Sequence, residues 1–352
     1  MRKTRRKAAA MTRQVKSNCL RSLVSRGILA DTHAHLDFEM LSKNYQAVLN
    51  RAQQKGIEEI WLMSIDRDSF TRNLEFIAKA QKYTAKVKSQ TSFPILRLAA
   101  GIDMEVLIPG SEVFSARLFS FSEQQLLEFL QREWQFMLEQ AAKAKIPVEI
   151  VGEVGIDHYH LQNAYENSEI TRKDVEQSHK LQQVMFEFFL NKAGELLLPL
   201  SIHTRGAEEL CLEIVGRYSA AAKLSGVFHS YTGPLTLINE IKALGFYIGL
   251  NGIVSYKSAS HILRRVLRDL KEKGQPSNTS VAGHADPKAN SGGAETATLL
   301  KNLYQAGYVL ETDAPYLVTA GADSKSLKQA YGERLNDPAG VADTLEFLGE
   351  QV

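Results

Sequence analysis

Apolar residues fall into eight short runs, separated by longer stretches in which they recur every three or four positions. The runs are GILADTH (27–33), EEIWLMSI (58–65), ILRLAAGID (95–103), VEIVGEVGI (148–156), LPLSIHTR (198–205), SGVFHSY (225–231), GFYIGLNG (245–252) and GYVLETD (307–313). They are near-continuously apolar and rich in Val, Ile or Leu, which predicts strands covered on both faces. The stretches between them predict amphipathic helices. In 179–197 the apolar face holds Leu181, Val184, Met185, Phe188 and Phe189; in 123–144 it holds Leu126, Phe129, Leu130, Trp134, Met137 and Leu138. Asp66–Ser69, Ser122–Glu123 and Gly233–Pro234 read as helix starts. Strands alternating with helices imply parallel crossovers, and eight such units predict an α/β fold, a single (β/α)8 TIM barrel. A doubly wound open sheet would share the local pattern; the count favours the barrel.

Three segments break the rhythm: 106–122 after the third strand, 157–177 after the fourth, and 273–298. The Gly/Ser/Pro/Asn content of 273–298 predicts a disordered insertion, with His284 a solvated loop residue inside it. Residues 1–27 predict a disordered basic extension, leaving 28–352 for the barrel domain.

Charge sharpens that boundary. Residues 1–30 carry nine Lys/Arg and no acid, so the remainder has 33 basic against 40 acidic residues, a net of −7. Such a body does not bind polyanions indiscriminately; a grip on nucleic acid must come from local basic groups or from the tail. The Arg-rich, acid-free tail has the composition of a mitochondrial transit peptide or of a nuclear-localisation or nucleic-acid arm. A disordered extension without an address has the same composition. No apolar run reaches eighteen residues, so no membrane span is expected and an intracellular, cytoplasmic location is the default. Cys19 and Cys211 match no metal or redox spacing and read as free thiols in a reducing compartment.

The candidate chemistry lies where polar residues meet strand ends. His33 and His35 close the first predicted strand, Glu153 the fourth, His203 the fifth, His229 the sixth and Asp313 the eighth. In a (β/α)8 barrel all those ends open on one face, where active sites are built. A single histidine at a strand end is more often a hydrogen-bonded structural residue. Six ionisable groups converging without a cation would be costly to bury, so the set predicts a metal site. Imidazole and carboxylate together suit zinc, manganese, iron or cobalt, and with waters also magnesium. Six donors exceed the needs of one tetrahedral ion, which points to two divalent ions bridged by a shared carboxylate. Glu153 is the natural bridge, and Asp313 would hold or deprotonate the attacking water. Asp31 is a candidate partner for a ligating imidazole; Asp37 falls in the following loop.

These motifs, taken in order, resemble the TatD-type DNase family of metal-dependent, amidohydrolase-like barrel hydrolases. The resemblance rests on DTHAHLD near the start, GEVGID (152–157), PLSIHTRGA (199–207), HSYTG (229–233), GFYIGLNGIVSYK (245–257), ETDAPYL (311–317) and NDP (336–338), and spans about Ala30 to Pro338. It implies one metal site of His33, His35, Glu153 and Asp313, and a second of Glu153, His203 and His229. It also implies hydrolysis of DNA phosphodiesters from single-stranded or 3′ ends, with two divalent ions (Mg, Mn or Zn) per chain; a monomer would suffice. Arg205 is a candidate phosphate contact whose alternative is a structural salt bridge with Asp157 or Glu311. Lys257, after the seventh strand, is a further phosphate candidate.

The chain departs from the family at two places. Asp103 and Met104 stand where a His-Pro pair is expected, and Asp103 either repels phosphate or adds a carboxylate to the metal cluster. After GVADTLEFLGEQ the family's further terminal helix is missing, as in a truncated gene model or a true variant. Two other functions remain compatible with these residues: a metal-dependent ester or amide hydrolase on the same barrel, such as one acting on an aminoacyl-nucleic acid, and a non-catalytic nucleic-acid-binding relic.

Overall fold

A computed structural model of the chain describes residues 19–87, 92–274, 291–332 and 334–352. Each of the eight runs contains a strand: β1 Ala30–Ala34, β2 Glu59–Leu62, β3 Ile95–Ala100, β4 Val148–Asp157, β5 Leu200–Arg205, β6 Gly226–Phe228, β7 Phe246–Leu250 and β8 Tyr308–Leu310. They pair in parallel in sequence order, β1 to β8. A parallel bridge between Ala34 and Ala314, with His35 N–H donating to Ala314 O at 2.8 Å, brings the last strand back to the first. The architecture is the expected (β/α)8 barrel.

Branched and aromatic side chains fill it because the strands are largely covered on both faces; β4 is buried along all ten residues. At its N-terminal end Arg97 bridges Glu59 and Glu149, at 2.9 and 2.6 Å. Helix Glu123–Ala144 begins at a reciprocal cap between Ser122 and Gln125 and buries Leu126, Leu130, Trp134 and Met137, as its periodicity predicts. Asp66 caps helix Arg67–Thr84 by accepting from Ser69 N–H at 2.6 Å. The start expected at Gly233–Pro234 is displaced: a turn intervenes and the helix is Ile238–Ala243.

Two expected disordered regions are partly ordered. Within 1–27, Cys19–Arg26 is a helix that buries Cys19, Leu20 and Leu23, so the domain begins before 28; residues 1–18 lie outside the described residues. Within 273–298, residues 273–274 end helix Ser260–Gly274, and 291–298 open helix Ser291–Gln305, which buries Leu300, Leu303 and Tyr304. His284 lies outside the described residues. Apolar burial outweighed local composition in both places. The long connections also carry structure: Met104–Leu107 and Ala116–Phe119 in the first, Tyr159–Glu166 and the start of Arg172–Leu196 in the second. Both thiols are free and buried, and burial pushes Cys211 up to about 12. No helix among the described residues is long and apolar enough to cross a membrane.

Candidate metal centre

All six predicted donors meet at the C-terminal mouth of the barrel. Glu153 does not end β4; it sits inside the strand at a register shift, where Val151 pairs with Leu200 but Val154 with Ile202. The extra residue is a bulge, which locally re-aims a side chain. Gly155 then pairs with His203, and a Cβ at Gly155 would lie 1.8 Å from His203 O, so only glycine lets these strands close beside the site. His229 follows β6, with its N–H on Ile202 O at 2.9 Å. Asp313 lies past β8 at φ 57°, a left-handed conformation uncommon outside glycine, held by its N–H on His33 O at 2.8 Å.

The two oxygens of Glu153 face different histidine pairs. Oε2 lies 3.4 Å from His33 Nε2 and 3.5 Å from His35 Nε2. Oε1 lies 2.9 Å from His203 Nδ1 and 3.9 Å from His229 Nε2. Asp313 Oδ1 is 3.9 Å from His33 Nε2 and 3.6 Å from His35 Nε2, while Oδ2 is 3.7 Å from His229 Nε2. The Nε2 atoms of His33 and His35 are 3.2 Å apart. Three overlapping triads, His33/His35/Glu153, Glu153/His203/His229 and His33/His229/Asp313, have the composition and spacing to hold a metal ion. Donors about 2.0–2.2 Å from one ion are themselves roughly 3.3–3.6 Å apart in a tetrahedron, close to the spacings found.

Burial disfavours charge throughout this cluster, yet charge prevails at most of its members. Against burial, Glu153 and Asp157 hold His203 well above the usual imidazole range, and Asp313 and Glu153 do the same for His35. Glu311 and Asp313 raise His229 to about 9. Glu153 is held well below the usual carboxylate range, chiefly by His33 and His203, and Asp313 is lowered by His229 and His35. Among the four histidines only His33 moves down, because it is fully buried and its ring stacks 3.5 Å from that of His229. A site that draws protons onto imidazoles so strongly has the negative potential a cation needs, and the donor chemistry fits a divalent metal.

A second layer fixes these rings. His33 Nδ1 is hydrogen-bonded to Ser201 Oγ at 2.8 Å, and His203 Nε2 lies 3.2 Å from Asp157 Oδ2. Asp157 also holds His160 Nδ1 at 2.6 Å, and its carboxyl is drawn down to about 2 despite burial, by His203 first. Glu311, fully buried, accepts from Ser230 N–H at 2.6 Å and lies 3.0 Å from His229 Nδ1, though without hydrogen-bond alignment. Asp31 does not meet an imidazole as expected. It accepts from the N–H of His33 and Thr312 at 3.1 and 2.9 Å and from Thr312 Oγ1 at 2.6 Å, sewing β1 to β8; burial raises it to about 8. The alternative for Arg205, a salt bridge with Asp157 or Glu311, is not formed: both carboxylates face histidines.

Arg205 is exposed, its guanidinium 4.1 Å above the Tyr159 ring and 3.5 Å from His160 Nε2. Lys257 is exposed on the turn Lys257–Ala259. Asp103 is outside the three triads: it caps Met104–Leu107 by accepting from Glu105 N–H at 2.9 Å. Burial, then the Glu153 and Glu105 carboxylates, push it up to about 7, which puts it within electrostatic reach of the cluster.

Residues 30–274 match the sequence model of the TatD-related DNase family. The chain belongs to that family. The match ends before β8, so Asp313 enters the site through the fold. The chain is 25% identical over 232 residues to an uncharacterised metal-dependent hydrolase, YabD, of Bacillus subtilis, covering 66% of this chain and 72% of the relative. It is 32% identical over 115 residues to deoxyribonuclease Tat-D of Schizosaccharomyces pombe, covering 33% of each. Among solved structures, the TatD homologue YjjV of Escherichia coli aligns with a TM-score of 0.55 at 21% identity, over 92% of this chain and 89% of that one. A TatD-family hydrolase of Entamoeba histolytica gives 0.58 at 17% identity, over 92% of each. These structural likenesses speak for the TatD barrel.

Proposed function

We propose that this metal-dependent hydrolase of the TatD family is a deoxyribonuclease that uses two divalent ions bridged by Glu153. The observation that carries the reading is the division of Glu153, one oxygen towards His33 and His35, the other towards His203 and His229. His33, His35, Glu153 and Asp313 would hold one ion, and Glu153, His203 and His229 the other. When bound, such ions supply Lewis acidity, making water a better nucleophile and taking up charge on the phosphate.

The chain's own groups supply the rest. Asp313 is 18% exposed, against 8% for Glu153, so it is placed to orient a water and take its proton. Arg205 presents a guanidinium, steadied by Tyr159, to a phosphate oxygen. Lys257 offers a second cation further out. The name of the Schizosaccharomyces pombe relative supports DNA as substrate.

The test is a metal screen with Mg²⁺, Mn²⁺ and Zn²⁺ on 3′- and 5′-labelled oligonucleotides, run beside a carboxylic ester. Shortening from the 3′ end, abolished by EDTA and in Glu153→Ala, is expected. Ester hydrolysis without strand cleavage would move the reading to the carboxyl-ester branch, and equal cleavage by Glu153→Ala would remove the metal-centre account.

A further inference from the structure

We infer that Phe38 and Tyr316 form a base-stacking platform beside the metal centre, so that the substrate is recognised through a nucleobase next to the scissile phosphate. This inference rests on the nuclease reading for its ligand class. Phe38 is 40% and Tyr316 56% exposed, both large apolar rings at the mouth of the barrel. Their centroids are 6.4 Å apart with planes at 64°, an edge-to-face pair. In that arrangement one ring meets its partner edge-on, so the partner covers neither of its faces, and both residues are exposed.

The pair is tied to the chemistry through the backbone. Phe38 N–H donates to His35 O at 3.3 Å, and Tyr316 N–H donates to Asp313 O at 2.9 Å. The two turns are themselves interlocked by Asp313 N–H on His33 O and His35 N–H on Ala314 O, both at 2.8 Å. Arg72 binds the Asp37 carboxylate at 2.8 Å and so fixes the residue before Phe38. Each ring thus stands three residues from a proposed metal ligand and is joined to it by a backbone hydrogen bond. Isolated exposed hydrophobics are ordinary. Two rings from opposite ends of the chain, paired and hydrogen-bonded through the backbone to His35 and Asp313, form a surface beside those residues. Every nucleobase has a π-face, so such a platform grips single strands without reading their sequence.

The test compares equilibrium binding of a 5′-labelled single-stranded thymidine octamer with an abasic strand of equal length, by fluorescence anisotropy on the full chain, in Ca²⁺ and again in EDTA. Wild type is expected to prefer the base-bearing strand. Phe38→Ala or Tyr316→Ala should weaken that binding roughly 5- to 150-fold, equivalent to ~1–3 kcal/mol, while leaving the abasic strand unaffected. Tyr316→Phe, which keeps the ring, should bind like wild type. Equal affinity of wild type for both strands, or equal losses on both in the Ala variants, would overturn the platform. Because binding is read without turnover, ring-dependent binding in a protein that cleaves no DNA would sustain the platform and refute the nuclease reading instead.

Discussion

The Glu311 carboxylate lies 3.0 Å from His229 Nδ1, and neither side chain is more than 4% exposed. Space for it exists because residue 249 is glycine: a Cβ there would sit 2.4 Å from Glu311 Oε2. The opposite nitrogen of His229 faces Glu153 and Asp313. Carboxylates behind a ligating imidazole set its tautomer and raise its basicity.

Glu311→Gln keeps the shape and removes the charge. We expect roughly 10- to 100-fold weaker metal binding, measured by competition with a chelating dye, with little change in circular dichroism. Unaltered affinity would show that Glu311 only fills space.

Asp103→Asn separates two roles of one carboxylate. An Asn oxygen still accepts from Glu105 N–H, so the cap survives, while the negative charge near Glu153 disappears. At pH 8, above the value of about 7 to which burial raises Asp103, kcat/KM on single-stranded DNA should rise at least about threefold, ~0.6 kcal/mol. Asp103→His would gain less, because it gives up the cap. A fall in kcat/KM with Asp103→Asn would make Asp103 a functional carboxylate.

The rings of His158 and His179 stack at 3.7 Å, and burial, with His179 beside it, lowers His158 from 6.5 to about 4. The folded state therefore disfavours the proton that the unfolded chain takes up. The resulting stability is present above pH 6.5 and is lost as pH falls from there towards 4. In chelator, where metal release contributes nothing, His158→Phe should reduce the Tm loss between pH 7 and 5. The difference should be about 1 kcal/mol after solvent screening, roughly 2–4 °C. Parallel pH profiles would contradict this.

The eight strands and six donors were legible because they are local signals: apolar runs of strand length, five of them carrying His, Glu or Asp donors at or near the end. The position of Glu153 within β4 was not, since the bulge is defined only by pairing with β5. Sequence gives no sign that Ser201, Glu311 and Asp157 back His33, His229 and His203; only the closed barrel brings them together. Asn336 is another such case: its amide donates to Thr312 O and Leu317 O at 3.2 and 3.3 Å, bracing the turn that carries Asp313. Helix Cys19–Arg26 was hidden because a two-turn helix in a basic tail is stabilised by what Leu20 and Leu23 bury, which composition does not show.

The bridging role of Glu153 is the centre of this account, and manganese makes it directly visible. The chain should be loaded with Mn²⁺, its metal-to-protein ratio measured, and its electron paramagnetic resonance spectrum recorded for wild type and Glu153→Ala. Two ions per chain with an exchange-coupled spectrum in wild type, lost in Glu153→Ala, is the expected result. A single uncoupled ion in wild type, or a coupled pair that persists without Glu153, would contradict it.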